Sequence, residues 1–290
     1  MTKVHCSIPE QYVNPLFEVF EGGDLILSSF RDIERPLTEM QLFLDETTSP
    51  DGAVEDAVSR LRAAMEIVGV QAEISTSSIA DEDWKFAYRR HFKTEAIGRR
   101  LLIVPEWELD GARDRAGDRM IVTLDPGMAF GTGKHETTRA CLEYIDELSA
   151  ILPRPSSFLD MGCGSGILSI AAEKLGFSPV KGFDVDQEAV DASLENAEKN
   201  DVKVEYVKFA LGRGEPAFGA YDLVAANILG PLLIRFADEI APYVKRNIVI
   251  SGILAELYPE VLAAYVSRGF REVSRKTIGE WTTGLLEVSH

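Results

Sequence analysis

Three glycines at alternate positions mark the stretch whose residue types and spacing point most directly to chemistry, FLDMGCGSG at residues 158–166. An apolar segment ends in Asp160, continues through Gly162, Gly164 and Gly166, and leads into the helical pattern ILSIAAEKL. A strand, a turn and a helix N-terminus are therefore predicted in succession. Glycine permits positive φ and lets a ligand lie against the backbone, and the helix N-terminus supplies free N–H groups. The stretch predicts a site for a nucleotide-like ligand.

The spacing narrows the choice of ligand. A dinucleotide fingerprint, GxGxxG, seats a pyrophosphate on the helix N-terminus, whereas the third glycine here comes one residue earlier, giving GxGxG. The next predicted strand, in VKGFDVD, ends in Asp184, 22 positions after Gly162 (184 − 162). A carboxylate there can accept hydrogen bonds from both ribose hydroxyls. The pair favours S-adenosylmethionine (SAM), which has a ribose and no pyrophosphate, although a glycine triplet can also serve only the geometry of a turn.

A third candidate is Asn227, at the end of a predicted strand in YDLVAANILGPLL. Ligands of open α/β sheets bind beyond the carboxyl ends of the strands, where Asp184 is also expected. An asparagine offers an acceptor and two donors, which suits the orientation of an amine nucleophile or of the ligand's amino group, and it can also simply form a turn. Enzymes that methylate planar nitrogens often have Asn-Pro-Pro-Tyr at this point. Here Ile228, Leu229 and Gly230 follow, so a flexible aliphatic amine is favoured over a flat base or amide.

The glycine-rich segment DPGMAFGTGKHETT, residues 125–138, is similar to a phosphate-binding GxxxxGK[ST] loop but does not match it. Its first and last relevant glycines are separated by five residues instead of four, and His135 stands where a Ser or Thr would hold magnesium. A nucleoside triphosphatase is therefore not favoured. We expect instead a loop that folds over the ligand, followed by a helix that Thr137 and Thr138 open. A hydroxyl at that position could also only cap the helix.

Composition limits the class of protein. The 290 residues suggest two domains, and a hydrophobic content of 46% suffices for globular cores. The start, MTKVHCSIPEQ, lacks the apolar segment of a signal peptide, and no apolar run approaches the roughly 18 residues of a membrane span. We therefore expect a cytoplasmic protein that does not bind membranes. Because Cys6, Cys141, Cys163 and the four histidines are scattered, we expect neither a disulfide framework nor a metal site.

The charge is strongly negative and unevenly distributed. The formal net charge is −17, and residues 1–80 hold 14 Asp and Glu against 5 Lys and Arg, a net of −9. Such a surface repels nucleic acid, so no direct reading of nucleic acid is expected. It attracts a basic protein, although solubility explains an acidic surface equally well.

The predicted elements divide the chain into three parts. Residues 1–78 follow the order β-α-β-β-α-β, which fits a small ferredoxin-like α+β domain, and we assign it to substrate recognition because it carries no catalytic motif. Residues 79–96 include the helical pattern DEDWKFAYRRHFK and are predicted to be a linker helix. Residues 97–290 alternate strands and helices as a doubly wound α/β domain does, with helices expected at 229–242 and 255–267. Its final antiparallel hairpin is typical of the seven-stranded, Rossmann-like sheet of SAM-dependent methyltransferases.

Several motifs together resemble one family of methyltransferases. They are DEDWKFAYRRHFK, GRRLLIVPEWE, LDPGMAFGTGKHETT, FLDMGCGSGILSIAAEKLG, GFDVD, DLVAANIL, SGIL and GEW. The sequence is similar over nearly its whole length to the PrmA family, the methyltransferases of ribosomal protein L-eleven (L11). The family pattern GTGTHPTT is altered at two positions, where this chain has Lys134 and Glu136, so charge and flexibility of that loop are expected to differ.

The resemblance implies a function and a set of site residues. The residues implied to contact SAM are Thr138, Gly162, Gly164, Gly166, Asp184 and Asn227, with Phe130 in a loop that closes over it. The activity implied is SAM-dependent methylation of amino groups, on lysine side chains and on an N-terminal amine, of a ribosomal large-subunit protein by a monomeric enzyme. Another basic protein, a small amine, and SAM binding without catalysis stay open as alternatives.

Overall fold

The computed structural model describes residues 2–20, 25, 27–31, 37–44, 52–78, 93–124, 136–213 and 219–289. The chain divides into two compact units, Met1–His91 and Phe92–His290. Most of the predicted linker helix, and Phe130 with the segment around it, lie outside the described residues.

In its described residues, the first unit has a four-stranded antiparallel sheet in the order β2-β3-β1-β4 and two α-helices. Its elements are β1 (Thr2–Pro9), α1 (Val13–Phe20), β2 (Leu27–Arg31), β3 (Leu37–Leu44), α2 (Ala53–Val68) and β4 (Ser75–Ser78). Alternate residues of β1 and β3, such as Val4 and Met40, pack with Leu61 of α2 in a common core. The predicted ferredoxin-like order of elements is therefore observed.

The second unit begins with a small three-stranded sheet. Its strands are β5 (Glu95–Ile97), β6 (Leu101–Pro105) and β7 (Met120–Leu124), with the short helix α3 (Leu109–Arg113) between the last two. β5 is antiparallel to β6, and β6 is parallel to β7.

A seven-stranded sheet forms the rest of the second unit. Its strands are β8 (Phe158–Met161), β9 (Val180–Asp184), β10 (Glu205–Lys208), β11 (Tyr221–Asn227), β12 (Val244–Leu254), β13 (Phe270–Ile278) and β14 (Trp281–Val288). They lie in the order β10-β9-β8-β11-β12-β14-β13. β8 to β12 are parallel, and β14 is antiparallel to both of its neighbours. This confirms the predicted Rossmann-like sheet and its final antiparallel hairpin.

Helices cover both faces of this sheet. They are α4 (Glu136–Ile151), α5 (Ile167–Lys174), α6 (Gln187–Lys199), α7 (Gly230–Arg235), α8 (Ala237–Ile240) and α9 (Tyr258–Val266). In β11, Leu223 and Ala225 pack in the core shared with α4, α5 and α6, whereas Val224 and Ala226 pack in the core shared with α7, α8 and α9. The central strand is apolar on both sides, as parallel strands under two helix layers must be.

The predicted single helix over 229–242 is wrong. The chain forms two short helices there, because Phe236, with φ −103° and ψ 14°, leaves the helical region between α7 and α8. The predicted helix over 255–267 is present but shorter, from Tyr258 to Val266.

A buried asparagine joins the three-stranded sheet to helix α6. Asn200, directly after α6, accepts the Thr123 N–H at 2.8 Å and donates Nδ2 to the Thr123 carbonyl at 2.6 Å. Its Nδ2 also donates to the Asn196 carbonyl at 2.8 Å. The end of β7 is therefore fixed to the helix that also contacts the glycine turn.

No helix in the described ranges is long and apolar enough to cross a membrane.

Candidate functional site

Three of the predicted site positions lie at the ends of adjacent parallel strands. Gly162 follows β8, Asp184 ends β9 and Asn227 ends β11, and β8 lies between the other two strands. Met161, the last residue of β8, is paired with Phe183 on one side and with Ala226 on the other. The glycine turn, the carboxylate and the amide are thus brought to one edge of the sheet.

The glycine turn depends on backbone conformations that favour glycine. Gly162, Gly164 and Gly166 have φ of 71°, 53° and 77°, all in the left-handed region. The N–H groups of Gly162 and Cys163 both donate to the Phe183 carbonyl, at 2.9 and 3.0 Å. The turn therefore crosses directly beside the end of β9.

Two polar side chains of α6, which sequence reasoning did not identify, hold the glycine turn from behind. Ser193 Oγ donates to the Gly164 carbonyl at 2.9 Å, and Asn196 Nδ2 donates to the Ser165 carbonyl at 2.9 Å. Both side chains are buried. The only signal in the sequence is that these small polar residues fall on the buried face of an amphipathic helix.

Asp184 is oriented by the turn that it faces. Its carboxylate accepts the Gly164 N–H at 3.0 Å and the Asp186 N–H at 3.1 Å. A carboxylate has about four acceptor sites, so both oxygens keep capacity for hydroxyl donors of a ligand. The following residue, Val185, is 66% exposed and offers an apolar contact beside this carboxylate.

Asp160 is a buried carboxyl group directly before the glycine turn. One oxygen, Oδ2, accepts both the N–H and the hydroxyl of Ser169. The other oxygen, Oδ1, is buried without a hydrogen-bond partner. Burial raises the pKa of the carboxyl group from 3.8 to about 7; the bonds from Ser169 oppose this rise and the charge of Asp184 adds to it.

The unsatisfied Oδ1 of Asp160 indicates which kind of ligand fits the site. A buried carboxylate is stabilised by a nearby cation, and SAM carries a sulfonium and an ammonium group. Two acidic residues, Asp160 and Asp184, together with a bare glycine turn therefore suit SAM and do not suit a pyrophosphate. In the part of the chain that the structure describes, His, Cys, Asp and Glu side chains form no cluster that could hold a metal ion.

Thr138 lies beside Asn227. Asn227 Nδ2 donates to Thr138 Oγ1 at 3.4 Å, and Thr138 is buried in the first turn of α4, which begins at Glu136. Behind them, Ser251 Oγ lies 2.6 Å from Thr283 Oγ1 and donates to the Thr137 carbonyl at 3.4 Å. The hydroxyl of Thr138 is thus turned towards the end of β11.

Ile228, the residue after Asn227, packs closely against two other parts of the site. A Cβ on Gly162 would lie 2.6 Å from Ile228 Cγ2, and a Cβ on Gly252, whose φ is 79°, would lie 2.4 Å from the Ile228 carbonyl oxygen. Gly252 occupies a register shift of β12 between Ile250 and Ile253. The glycine turn, the end of β11 and this irregularity of β12 therefore fit each other only because two positions lack side chains.

The cysteines nearest to the site are not activated nucleophiles. Burial raises the pKa of Cys141 to about 12, partly opposed by a bond from Ser251, and burial also raises the pKa of Cys163. Both groups are thiols at neutral pH. The arrangement favours binding and orientation of a ligand over covalent catalysis by these residues.

Comparison with known proteins identifies similar sequences and a similar structure. Residues 30–287 match the family described as ribosomal protein L11 methyltransferase (PrmA). The ribosomal protein L11 methyltransferase of Hydrogenovibrio crunogenus is 32% identical over 295 residues, covering 97% of this chain and 95% of that protein. That of Thiobacillus denitrificans is 44% identical over 214 residues, covering 72% and 69%. A crystal structure of ribosomal protein L11 methylase from Lactobacillus delbrueckii subsp. bulgaricus is 31% identical, with a TM-score of 0.61, covering 69% of this chain and 100% of that one.

Replacement of Gly252 by alanine tests the contact with Ile228. We expect Gly252→Ala to lower the free energy of unfolding by about 2–4 kcal/mol, because a left-handed φ and a clash with backbone are combined. Gly269→Ala is the matched control, since Gly269 has a φ of 84° and open space around its Cβ position; it should lose only about 1 kcal/mol. Urea unfolding of both variants measures the difference, and equal losses would contradict the proposed contact.

Replacement of Asp160 tests its buried proton. Because the pKa is raised from 3.8 to about 7, the folded protein holds a proton that the unfolded chain has released between these values, and stability falls as pH rises through this range. Asp160→Asn cannot titrate. Between pH 4 and pH 7, the free energy of unfolding of the unchanged protein should therefore fall relative to that of Asp160→Asn, by on the order of 4 kcal/mol. Denaturant unfolding at several pH values measures this.

Asp222 provides a control of opposite sign. Partial burial raises its pKa, but the bonds from Ser157 and the charges of Lys245 and Arg246 together outweigh burial, so the pKa is lowered. Asp222→Asn should therefore lose stability relative to the unchanged protein as pH rises towards about 4, and this difference should stay constant between pH 4 and pH 7. Parallel pH profiles for the unchanged protein and Asp160→Asn would show that Asp160 is not protonated in the folded state.

Proposed function

Because this chain belongs to the ribosomal protein L11 methyltransferase (PrmA) family, we propose that it transfers methyl groups from SAM to amino groups of ribosomal protein L11. The observation that carries this proposal is the meeting of the glycine turn, Asp184 and Asn227 at one edge of the sheet. Lysine side chains, and an N-terminal amine, are the acceptors that we propose.

We assign the binding of SAM to groups on three strand ends. The backbone of Gly162, Gly164 and Gly166 lies against the ligand, and Asp184 accepts the ribose hydroxyls. Thr138 and Asn227 contact the end of the ligand that carries the methyl group. This assignment is supported by the positive φ of the three glycines and by the contact between Asn227 and Thr138. Phe130 stays a prediction, because it lies outside the described residues.

Bound SAM supplies an electrophilic methyl group on a positively charged sulfur. The residues of the chain then need only to hold the acceptor nitrogen in line with that methyl group, which is a matter of proximity and orientation. Asn227 is the orienting residue that we propose. Since its Nδ2 donates to Thr138 Oγ1, its amide oxygen is turned to accept an N–H of the incoming amine.

The acceptor amine must be neutral in order to attack. A lysine has a reference pKa of about 10.4, and desolvation in a pocket lowers this value because it disfavours the charged form. Removal of the ammonium group from water as the substrate docks thus favours loss of its proton, for which backbone carbonyls and water are the acceptors that stay open.

We propose that the N-terminal domain recognises the protein substrate. We place this domain at residues 1–78, a linker at 79–96 and the methyltransferase domain at 97–290. The excess of 14 acidic over 5 basic residues in the first 80 favours a basic partner and disfavours nucleic acid. The expected form is a cytoplasmic monomer.

Transfer of label to purified proteins tests the function. Incubation with methyl-labelled SAM and unmethylated ribosomal protein L11 should place methyl groups on lysine side chains, located by mass spectrometry. Asn227→Ala should lower kcat by roughly 10- to 1,000-fold, because orientation of the acceptor is lost. Methyl label on a different basic protein or on a small amine instead of L11 would show that this other molecule is the substrate. SAM binding without transfer to any acceptor would show a binding protein without this activity.

The role of Asp184 is tested through binding of SAM. Asp184→Asn should raise the Kd for SAM by roughly 10- to 100-fold, because the ribose hydroxyls lose a charged acceptor. Asp186→Asn is the matched control, since this neighbouring carboxylate caps α6 by accepting the Glu188 N–H and asparagine caps equally well. Calorimetry measures both. An unchanged affinity in Asp184→Asn would remove Asp184 from the SAM site.

A further inference from the structure

Three exposed leucines lie beside the end of β11. Leu229 is 64% exposed, Leu232 is 37% exposed and Leu254 is 36% exposed; we call them the leucine patch. Leu229 is the residue directly before α7, and Leu232 lies in the first turn of that helix. Leu229 is only two residues after Asn227, the residue to which we assign orientation of the acceptor amine.

The exposure of Leu229 is imposed by the fold around it. Its carbonyl accepts the N–H groups of Leu232 and Leu233, at 2.9 and 3.2 Å, and so starts α7. The preceding Ile228 is held between Gly162 and Gly252. The following Gly230 has no room for a side chain, because a Cβ there would lie 2.7 Å from Leu257 Cδ2. Leu229 is therefore held outward between two tightly packed neighbours.

Leu254 lies in a segment that packs against the segment that carries Leu229. Gly252, two residues before it, lies against the Ile228 carbonyl, and Leu257, three residues after it, lies against Gly230. The turn between β12 and α9 is thus packed against both ends of the segment that presents Leu229. The leucine patch is therefore contributed by two adjacent segments of the chain.

Two exposed carboxylates border the leucine patch. Glu256 lies in the turn that follows Leu254, and Glu280 lies in the hairpin between β13 and β14. The Ala255 N–H donates to the Glu280 carbonyl at 2.8 Å, which joins these two turns. An apolar surface with carboxylates at its border complements a basic protein segment, in which the acceptor lysine offers its methylene stem to the leucines and flanking basic side chains offer charge to the carboxylates.

We propose that the leucine patch is the surface on which the protein substrate lays its acceptor lysine, with Leu229 against the methylene stem and Leu232 and Leu254 against the residues that flank the lysine. Single exposed leucines are common on proteins and need no explanation. This patch differs because it is continuous with the position of Asn227 and is rigidly presented. The inference rests on the proposed transfer of methyl groups to ribosomal protein L11.

The experiment compares KM and kcat for ribosomal protein L11 with the Kd for SAM in single variants of the full chain. Leu229→Ser should raise the KM for the protein by roughly 5- to 30-fold, because a largely exposed leucine loses the contact that it buries on docking. The Kd for SAM should stay unchanged, which also shows that the variant is folded. Leu229→Met, which keeps an apolar side chain, should restore the KM to within about 3-fold.

The control is an equally exposed aliphatic residue elsewhere. Ile151 is 76% exposed and ends α4 at the opposite end from Thr138, so Ile151→Ser should leave all three quantities unchanged. A KM for Leu229→Ser within twofold of the unchanged protein, while that protein methylates L11, would overturn the leucine patch and leave the proposed function standing. Absence of transfer by the unchanged protein would instead overturn the proposed function and this inference together.

Discussion

The site depends on a close fit between Ile228 and two glycines. Its side chain fills the space where Gly162 lacks a Cβ, and its carbonyl fills the space where Gly252 lacks one. This single residue joins the ends of β8, β11 and β12, so any ligand held by the glycine turn has a fixed relation to Asn227. Methyl transfer needs alignment more than it needs activated side chains, and a contact between backbone and aliphatic carbon supplies such alignment with little freedom to relax.

Polar groups under the turn set its shape and its electrostatics. Ser193 and Asn196 bind its carbonyls from α6, and Ser169 holds one oxygen of Asp160. The other oxygen of Asp160 is buried and unsatisfied, which destabilises the ionised form in the absence of a cation. Without a ligand, ionisation of Asp160 therefore costs free energy, and a nearby sulfonium group lowers this cost. The carboxyl group lies directly before the glycine turn, where the family's cofactor is expected.

Several features were predictable from the sequence because they depend on local backbone preferences. Alternate glycines permit the positive φ of a tight turn. The apolar run before each candidate residue marks a strand that ends there, so the positions of Gly162, Asp184 and Asn227 at strand ends follow directly. The final hairpin follows from its short turn. The predicted helix over 229–242 failed because the helical pattern does not reveal the break at Phe236. The membership of the family could be recognised from motifs spread along nearly the whole chain.

The sequence by itself determined the order of elements, the glycine turn and the class of ligand, since all three depend on the types and spacing of residues that are close together in the chain. Only the tertiary structure decided that Ile228 meets Gly252, that Asn196 reaches Ser165, that Asp160 is buried with an unsatisfied oxygen and that Leu229 is exposed. These contacts join residues that are tens of positions apart. They depend on the register and order of the strands, β9-β8-β11-β12, which side-chain periodicity along one strand cannot specify.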